Sequence, residues 1–531
     1  MSKDNLIAFG IFAISTIGFF VWGFRYIPSH HLILFSVATV FGIFMAFNIG
    51  GNDVANSFGT SVGAKTITIK QALVIAAIFE LSGAIFAGGE VTKTIRKGIV
   101  KIPDVNFDPM LFVLVMMASL LSAGLWLLFA SKKGLPVSTT HSIVGGIVGG
   151  SLALGYVIKG GGNIAGMVYW GKIFQIVLSW VISPILGGIL SYGIYFYIKK
   201  RILTPSKILL AKQENIKKRR KTLKEAYKVT LVNKSHEEQI EELSKLAFVE
   251  EDEELEKPSD YQKKIKELKQ KEKNLNIFSP LQTHVPIVGA LAACIISGML
   301  LFKGLKHLQM NLGSIETIWI IFVIATGAYL ASAAIIGIMA KNDVHKATIR
   351  IFSWFQIFTA SAFAFSHGAN DIANAIGPFA AILDVLKTGV INAKAPVPTI
   401  AMITFGISLI VGLWFLGREV IQTVGTRLAE IFPVTGFAAE LGASTVILLA
   451  TKMGIPVSST HILIGAVLGI GILNKDANWK LMKPIAMAWV VTLPIAGVSS
   501  AIFFFILKTV IDLSTLHHTQ NTSILSCYFS L

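Results

Sequence analysis

The chain has 531 residues, 53% of them hydrophobic and only 15% charged, against about 25% charged in soluble domains. A mean hydropathy of +0.67 excludes a cytosolic enzyme, a disordered chain and a secreted disulfide scaffold, and leaves a polytopic helical membrane protein. The net charge of +17 does not signal a nucleic-acid partner: 21 of the 47 Lys and Arg fall between Lys199 and Lys273, where the positive-inside bias of cytoplasmic loops accounts for them.

Residues 5–24 form an apolar run with no charged side chain, long enough to span a bilayer and better matched by an uncleaved helix than by a cleaved signal. Apolar runs follow at 31–50, 71–91, 109–130 and 136–158, and a longer one at 165–198 has room for one or two segments. After a charged loop come 286–303, 316–340, 349–366, 370–385, 398–416, 433–451, 456–474 and 483–508. Several carry Gly and Pro in their interiors, the pattern of broken or re-entrant helices. Residues 199–285 differ in kind: Lys217 to Lys221 is basic, Glu250 to Glu254 acidic, and Lys263 to Lys273 reads as a basic helix, together a solvated cytoplasmic linker. Cys294 and Cys527 give neither a metal spacing nor a disulfide framework.

The chain repeats itself. Asn52-Asp53-Val54-Ala55-Asn56 recurs 318 residues later as Asn370-Asp371-Ile372-Ala373-Asn374, and Gly134-Leu135-Pro136-Val137-Ser138-Thr139-Thr140-His141 recurs 320 residues later as Gly454 to His461. A weaker echo pairs Glu90-Val91 with Glu419-Val420. Paired polar segments inside apolar repeats are the mark of a secondary transporter. The fold class that follows is an all-α polytopic membrane protein, an inverted-repeat carrier with re-entrant helices and a large cytoplasmic loop. Its expected parts are an N-terminal helix (1–30), a first repeat (31–198), the loop (199–285), connecting helices (286–348), a second repeat (349–508) and a tail (509–531).

Polar groups in hydrocarbon are costly and rare unless they have a task or a partner. Asn52, Asp53 and Asn56 sit three and four residues apart, on one helical turn, as do Asn370, Asp371 and Asn374. Their carboxylate and amide oxygens suit a small hard cation, and the glycines before them allow the helix to break. The Pro-Val-Ser stretches place proline and an N-capping hydroxyl where a helix would start inside the membrane, aiming free N–H groups at a cavity. Ser138, Thr139, Thr140 and Ser458, Ser459, Thr460 add donors, an anion-binding construction. An oxyanion cannot join Asp53 and Asp371 in one low-dielectric cavity unless mobile cations come too, because Lys132, Lys133 and Lys452 belong near an aqueous edge. A protonated phosphate can donate to a carboxylate and sulfate cannot, which favours phosphate. Glu80 and Glu440 are each either a cation ligand or proton carrier, or a buried acid hydrogen-bonded to a neighbour. His141 and His461 read as packed, hydrogen-bonded residues, and Trp180 and Trp489 as interfacial or packing residues. A phosphoryl-transfer enzyme is disfavoured, since no acid or Arg cluster orients Ser138 and His141.

These motifs resemble the inorganic phosphate transporter (PiT) family, whose paired Gly-Ala-Asn-Asp-Val-Ala-Asn element is matched at Gly50 to Asn56 and at Gly368 to Asn374. The resemblance covers 31–198 and 349–508 and implies an inverted-repeat carrier that symports phosphate with a cation, in the cell membrane. It places essential carboxylates at Asp53, Glu80, Asp371 and Glu440, and phosphate-site serines at Ser138 and Ser458. Asn52 and Asn370 are candidates for both phosphate and cation. The run from Asn52 to Gly63 is similar to the sodium-dependent branch, so sodium is the expected coupling ion, with proton coupling or sulfate transport as alternatives. No other cofactor is implied. The expected partners are phosphate, sodium or a proton, and the bilayer; a homodimer stays open. Departures are the extra 5–24 helix, Gly51 where Ala is usual, and Glu440, which has no acid at the matching place in the first repeat.

Overall fold

The computed structural model describes residues 3–101, 107–232, 234–241, 244, 260–301, 313–339, 343–392, 397–423 and 428–528; the side chains of Asn56, Glu90, Arg96, Lys97, Met299 and 513–528 are not among those described. The acidic stretch Glu250 to Glu254 lies outside them. The described elements are helical, with one isolated bridge between Val100 and Val168. Eleven helices among the described residues are long and apolar enough to cross a bilayer.

In chain order the helices are α1 (Lys3–Tyr26), α2 (Leu32–Ile49), α3 (Ala55–Gly63), α4 (Ile69–Ala87), α5 (Gly89–Lys97), α6 (Pro109–Lys132), α7 (Thr139–Lys159), α8 (Trp170–Ile198) and α9 (Thr204–Val232). They continue as α10 (Asp260–Lys273), α11 (Ser279–Met299), α12 (Ser314–Met339), α13 (Val344–Asp371), α14 (Ala373–Thr388), α15 (Thr399–Gln422), α16 (Pro433–Lys452), α17 (Ser459–Asn474) and α18 (Trp479–Tyr528). Local sequence sets the starts. Thr68 and Gln71 form a capping box on α4, with the Gln71 N–H donating to Thr68 Oγ1 (3.3 Å) and the Thr68 N–H to Gln71 Oε1 (2.8 Å). Asp108 caps α6 ahead of Pro109. The 165–198 run is one helix after a short 3₁₀ turn, and Pro184 does not end it.

The chain forms two compact units. One comprises 1–195, 292–324 and 352–531; the other comprises 196–291 and 325–351. In the first unit the repeats exchange partners: Gly149 of α7 faces Gly497 of α18, and Gly469 of α17 faces Gly188 of α8. A Cβ at either position would sit 1.9 or 2.3 Å from the opposing carbonyl oxygen, so only glycine permits these crossings. At 16 residues, α17 spans roughly 24 Å, short of a hydrocarbon core of about 30 Å, whereas α7, which starts at the matching motif, has 21 residues and spans roughly 32 Å. The N-terminal α1 packs on α15, where Ser15 meets Thr404 (3.3 Å) and Trp414 Nε1 donates to Asn5 (2.8 Å). In the second unit the charged stretch is more than a solvated linker: α9 and α10 pack together, held by an Arg220–Glu272 ion pair (2.6 Å).

Candidate functional site

Each Asn-Asp pentapeptide falls at a helix irregularity in the first unit. A π-helical turn, Gly50–Val54, carries Asn52 and Asp53 between α2 and α3; Asp371 ends α13 and α14 resumes at Ala373. The two asparagines do the same thing in each repeat. Asn52 Nδ2 donates to Ser131 Oγ (3.1 Å) and Leu135 O (3.0 Å), while its Oδ1 accepts from Val137 N (3.0 Å). Asn370 Nδ2 donates to Thr451 Oγ1 (3.0 Å) and Ile455 O (3.3 Å), and its Oδ1 accepts from Val457 N (3.3 Å). Both amides thus fasten the loop that leads to a Pro-Val-Ser helix start, and neither faces the hydroxyl cluster.

Those starts are capped by Ser138, which accepts from His141 N (3.1 Å), and by Ser458, which accepts from His461 N (3.3 Å). With the serines committed, the next hydroxyls turn inward and cross between repeats. Asp53 accepts from Thr139 of its own half and from Thr460 of the other. Thr140 donates to Val457 O (2.9 Å) and lies 3.4 Å from Asp371 Oδ1. Asn374 Nδ2 reaches Thr139 Oγ1 and Thr140 Oγ1, each at 3.1 Å. The two pentapeptides therefore meet: ligand atoms of Asp53, His367 and Asp371 all lie within 4.8 Å of one another. Lys132, Lys133 and Lys452 are exposed, away from this cluster. The Asn56 side chain lies outside the described residues.

Three further features emerge. His367, fully buried, bridges two acids: Nδ1 is 2.8 Å from Glu80 Oε2 and Nε2 is 3.2 Å from Asp371 Oδ2. Gly368 makes this possible, because α13 approaches α4 so closely that a Cβ there would stand 2.0 Å from the Glu80 carbonyl oxygen. Second, Glu440 stands in a separate cage. Its carboxylate accepts from Thr60 (2.7 Å), Ser61, Gln356 (3.3 Å) and Thr359 (2.8 Å), none of which bonds to the aspartate cluster. Third, His141 packs against Trp180 with the rings tilted 39° and centroids 3.6 Å apart, and His461 stacks on Trp489 (3.7 Å), so these four are packing residues.

Glu80 Oε1 and Asn374 Oδ1 are buried without a hydrogen-bond donor, and Asp371 Oδ2 has the His367 ring at 3.2 Å as an ion-pair partner; the donors His367 Nε2 and Ser459 Oγ are likewise buried without a hydrogen bond. A buried polar atom in that state is costly unless something satisfies it, and oxygen ligands of this kind match a hard cation. The same cluster also holds hydroxyls from two helix N-termini, which match an oxyanion.

A model of the phosphate transporter family matches residues 49–500, spanning both motif pairs. The chain belongs to the phosphate transporter family. It is 50% identical over 500 residues to a Mycobacterium tuberculosis protein named as a phosphate permease, covering 92% of this chain and 90% of that one. It is 32% identical over 487 residues to the chloroplastic inorganic phosphate transporter 2-1 of Arabidopsis thaliana, covering 90% and 73%. Among solved structures it is similar to one described as the sodium-dependent phosphate transporter, at 29% identity and a TM-score of 0.69, covering 90% of this chain and 99% of that one. The chain is accordingly a multi-pass membrane protein of phosphate transport.

Sequence reasoning about this phosphate transporter overlooked His367 as the shared partner of Glu80 and Asp371. The signal was present: His367 precedes Asp371 by four residues, one turn of a helix. It also missed the Glu440 cage, whose donors come from α3 and α13, hundreds of residues from one another.

Proposed function

We propose that the chain imports inorganic phosphate across the cell membrane by symport with sodium, through the Asp53–Asp371 cluster. The observation that carries this is the commitment of Thr139 and Thr460 to Asp53, with Thr140 beside Asp371. A hydroxyl has one proton to donate. Thr139 and Thr460 can each serve a carboxylate or a phosphate oxygen, not both at once. A cation that takes over the carboxylate oxygens releases the hydroxyls, and the oxyanion then finds donors and a compensating charge together. Without the cation, phosphate meets three acids in a low-dielectric site and is repelled. Coupling is thus an exchange of hydrogen-bond partners at one place.

Sodium would be held by Asp53, Asp371 and Asn374, with Glu80 contributing its open oxygen. Phosphate would take Thr139, Thr140, Ser459 and Thr460, backed by the N–H groups of α7 and α17 that Ser138 and Ser458 cap. Asn52 and Asn370 would act through the loops they fasten. Glu440, already ringed by four donors, is placed to admit a second cation only if some of those donors turn away. The sodium-dependent description of the similar solved structure favours sodium. His367 between two acids favours a second reading, coupling to a proton.

Purified protein in liposomes separates these. Labelled phosphate uptake should accelerate with an inward sodium gradient and be unaffected by an imposed proton gradient; the reverse establishes the proton, and indifference to both refutes symport. Excess sulfate should leave uptake unchanged.

A further inference from the structure

The N-terminal helix leaves a groove where it lies beside α4 and α15 in the first unit. These three helices enclose a trough of about 520 Å³, and all three are among those long and apolar enough to cross a bilayer. Each presents one face to it. Asp4, Ile7, Ala8 and Ile11 of α1 stand at i, i+3, i+4 and i+7, and the lining positions of α4 from Lys70 and of α15 from Ile407 follow the same spacing. Among the described lining residues, polar groups gather at one end. Lys70 pairs with Asp4 (2.5 Å), their side chains 72% and 48% exposed, and Trp414 donates its indole N–H to Asn5 (2.8 Å). Lys70 is the second residue of α4 and Asp4 the second of α1, so this end lies at the water interface, where such residues belong. Every other described lining residue is apolar.

Length and width select the occupant. From Lys70 to Leu81 the trough follows eleven residues of α4, roughly 16 Å. That is close to half of a hydrocarbon core about 30 Å thick, the depth of one leaflet. Spread over that length, the volume gives a cross-section of roughly 30 Å², against about 80 Å² for a helix about 10 Å across. An extended acyl chain enters such a trough, and a helix of a second copy does not. Hydrocarbon offers no hydrophobic drive between apolar surfaces, so what holds the chain is contact on three sides and the headgroup at the mouth. An ammonium has three donors, so Lys70 can keep Asp4 and still donate to a phosphodiester oxygen. At the inner end the chain meets Leu81, against which α15 packs so closely that a Cβ at Gly406 would stand 2.7 Å from the leucine methyl. Leu81 follows Glu80, so the chain backs the turn of α4 that presents this acid to His367.

We propose that this trough holds one acyl chain of a membrane phospholipid, with the lipid's phosphodiester at Lys70. The test is native mass spectrometry of the full chain, released from detergent micelles after titration with dipalmitoylphosphatidylglycerol. A second arm uses dipalmitoylglycerol, which has the same chains and no phosphate. One phospholipid should survive an activation energy that strips the remaining lipid. Ala77→Phe and Ala8→Phe fill the trough from different walls, and each should lower the retained fraction at least about tenfold. Val490→Phe, at a 76% exposed position of α18 outside the trough, should leave it within about twofold. Lys70→Gln should lower phospholipid retention about twofold to fivefold, the worth of one exposed ionic contact, and leave dipalmitoylglycerol unchanged. Retention that both Phe variants of the trough leave intact, an equal loss in Val490→Phe, equal retention of the two lipids by the unaltered protein, or a dimer of the chain that Ala77→Phe and Ala8→Phe disrupt in place of lipid binding overturns it.

Discussion

Removing the hydroxyl of Thr460 tests the exchange of partners directly. Thr460→Val keeps the shape of the side chain and deletes one donor to Asp53, leaving Thr139 as the other. A hydrogen bond to a charged acceptor is worth about 1.5–3 kcal/mol, and about 1.4 kcal/mol is a factor of ten in affinity. If the sodium that enters at Asp53 must displace that bond, its loss should tighten binding of that sodium by roughly tenfold to a hundredfold, less whatever a water restores. The same change removes a donor from the anion site, so the KM for phosphate at saturating sodium should rise by a similar factor. The two constants move in opposite directions. Sodium binding to the purified protein gives the first, and initial rates of uptake into liposomes give the second. Thr460→Ser, which retains the hydroxyl, should restore both. If sodium and phosphate weaken together in Thr460→Val, the hydroxyl is not exchanged between them and the coupling scheme fails.

Other expectations follow from single contacts. His367→Gln keeps donors on a single nitrogen and cannot bridge Glu80 and Asp371 together; coupled uptake should fall by at least about tenfold, the loss of one charge-assisted bond, with the fold intact by circular dichroism. Gly368→Ala puts a methyl 2.0 Å from the Glu80 carbonyl oxygen, so α4 must move; melting in detergent should show about 1–3 kcal/mol of destabilisation, and Glu80→Ala in the same background should add little further loss of uptake. Asn52→Ala and Asn370→Ala each strand a backbone N–H and a carbonyl, at about 1–3 kcal/mol per buried group, and the two variants should lose nearly equal thermal stability because their bonds are matched pairwise.

What the sequence made legible was what it stated twice. The pentapeptides and the Pro-Val-Ser stretches are polar words in apolar text, and their common offset implies that they converge; Asp53 and Asp371 do so. The cap roles of Ser138 and Ser458 are local and could be read from residue type alone. His367 has no such duplicate: Ile49 stands at the matching offset, so nothing in the first repeat marks the position. Asn52 and Asn370 were ambiguous for a chemical reason. An amide carries both donor and acceptor, and only the neighbours decide whether it serves a ligand or, as here, a loop. The environment of Glu440 was illegible because it is assembled from both halves of the chain. The glycines before the pentapeptides are expected to let the helix break, which fits the irregular turn at Gly50–Val54, while Gly368 serves close approach between helices.

The duplication is incomplete, and the incompleteness orders the binding steps. Asp53 accepts two hydroxyls, one from each repeat, whereas Asp371 faces His367 and keeps Oδ2 without a donor beside the open Oδ1 of Asn374. A cation arriving at Asp371 and Asn374 finds Asp371 Oδ2 and Asn374 Oδ1 without hydrogen bonds and competes with the His367–Asp371 ion pair (3.2 Å). One arriving at Asp53 must first displace Thr139 and Thr460, which becomes favourable when phosphate is present to accept them. The first sodium should therefore bind at Asp371 in the absence of phosphate, and a second at Asp53 together with it. Equilibrium binding of radioactive sodium distinguishes the two sites: Asp371→Asn should abolish phosphate-independent binding, whereas Asp53→Asn should preserve it and remove only the increment that phosphate adds. The opposite assignment, with phosphate-independent binding lost in Asp53→Asn and kept in Asp371→Asn, would show that the unsatisfied oxygens are not where the cation enters.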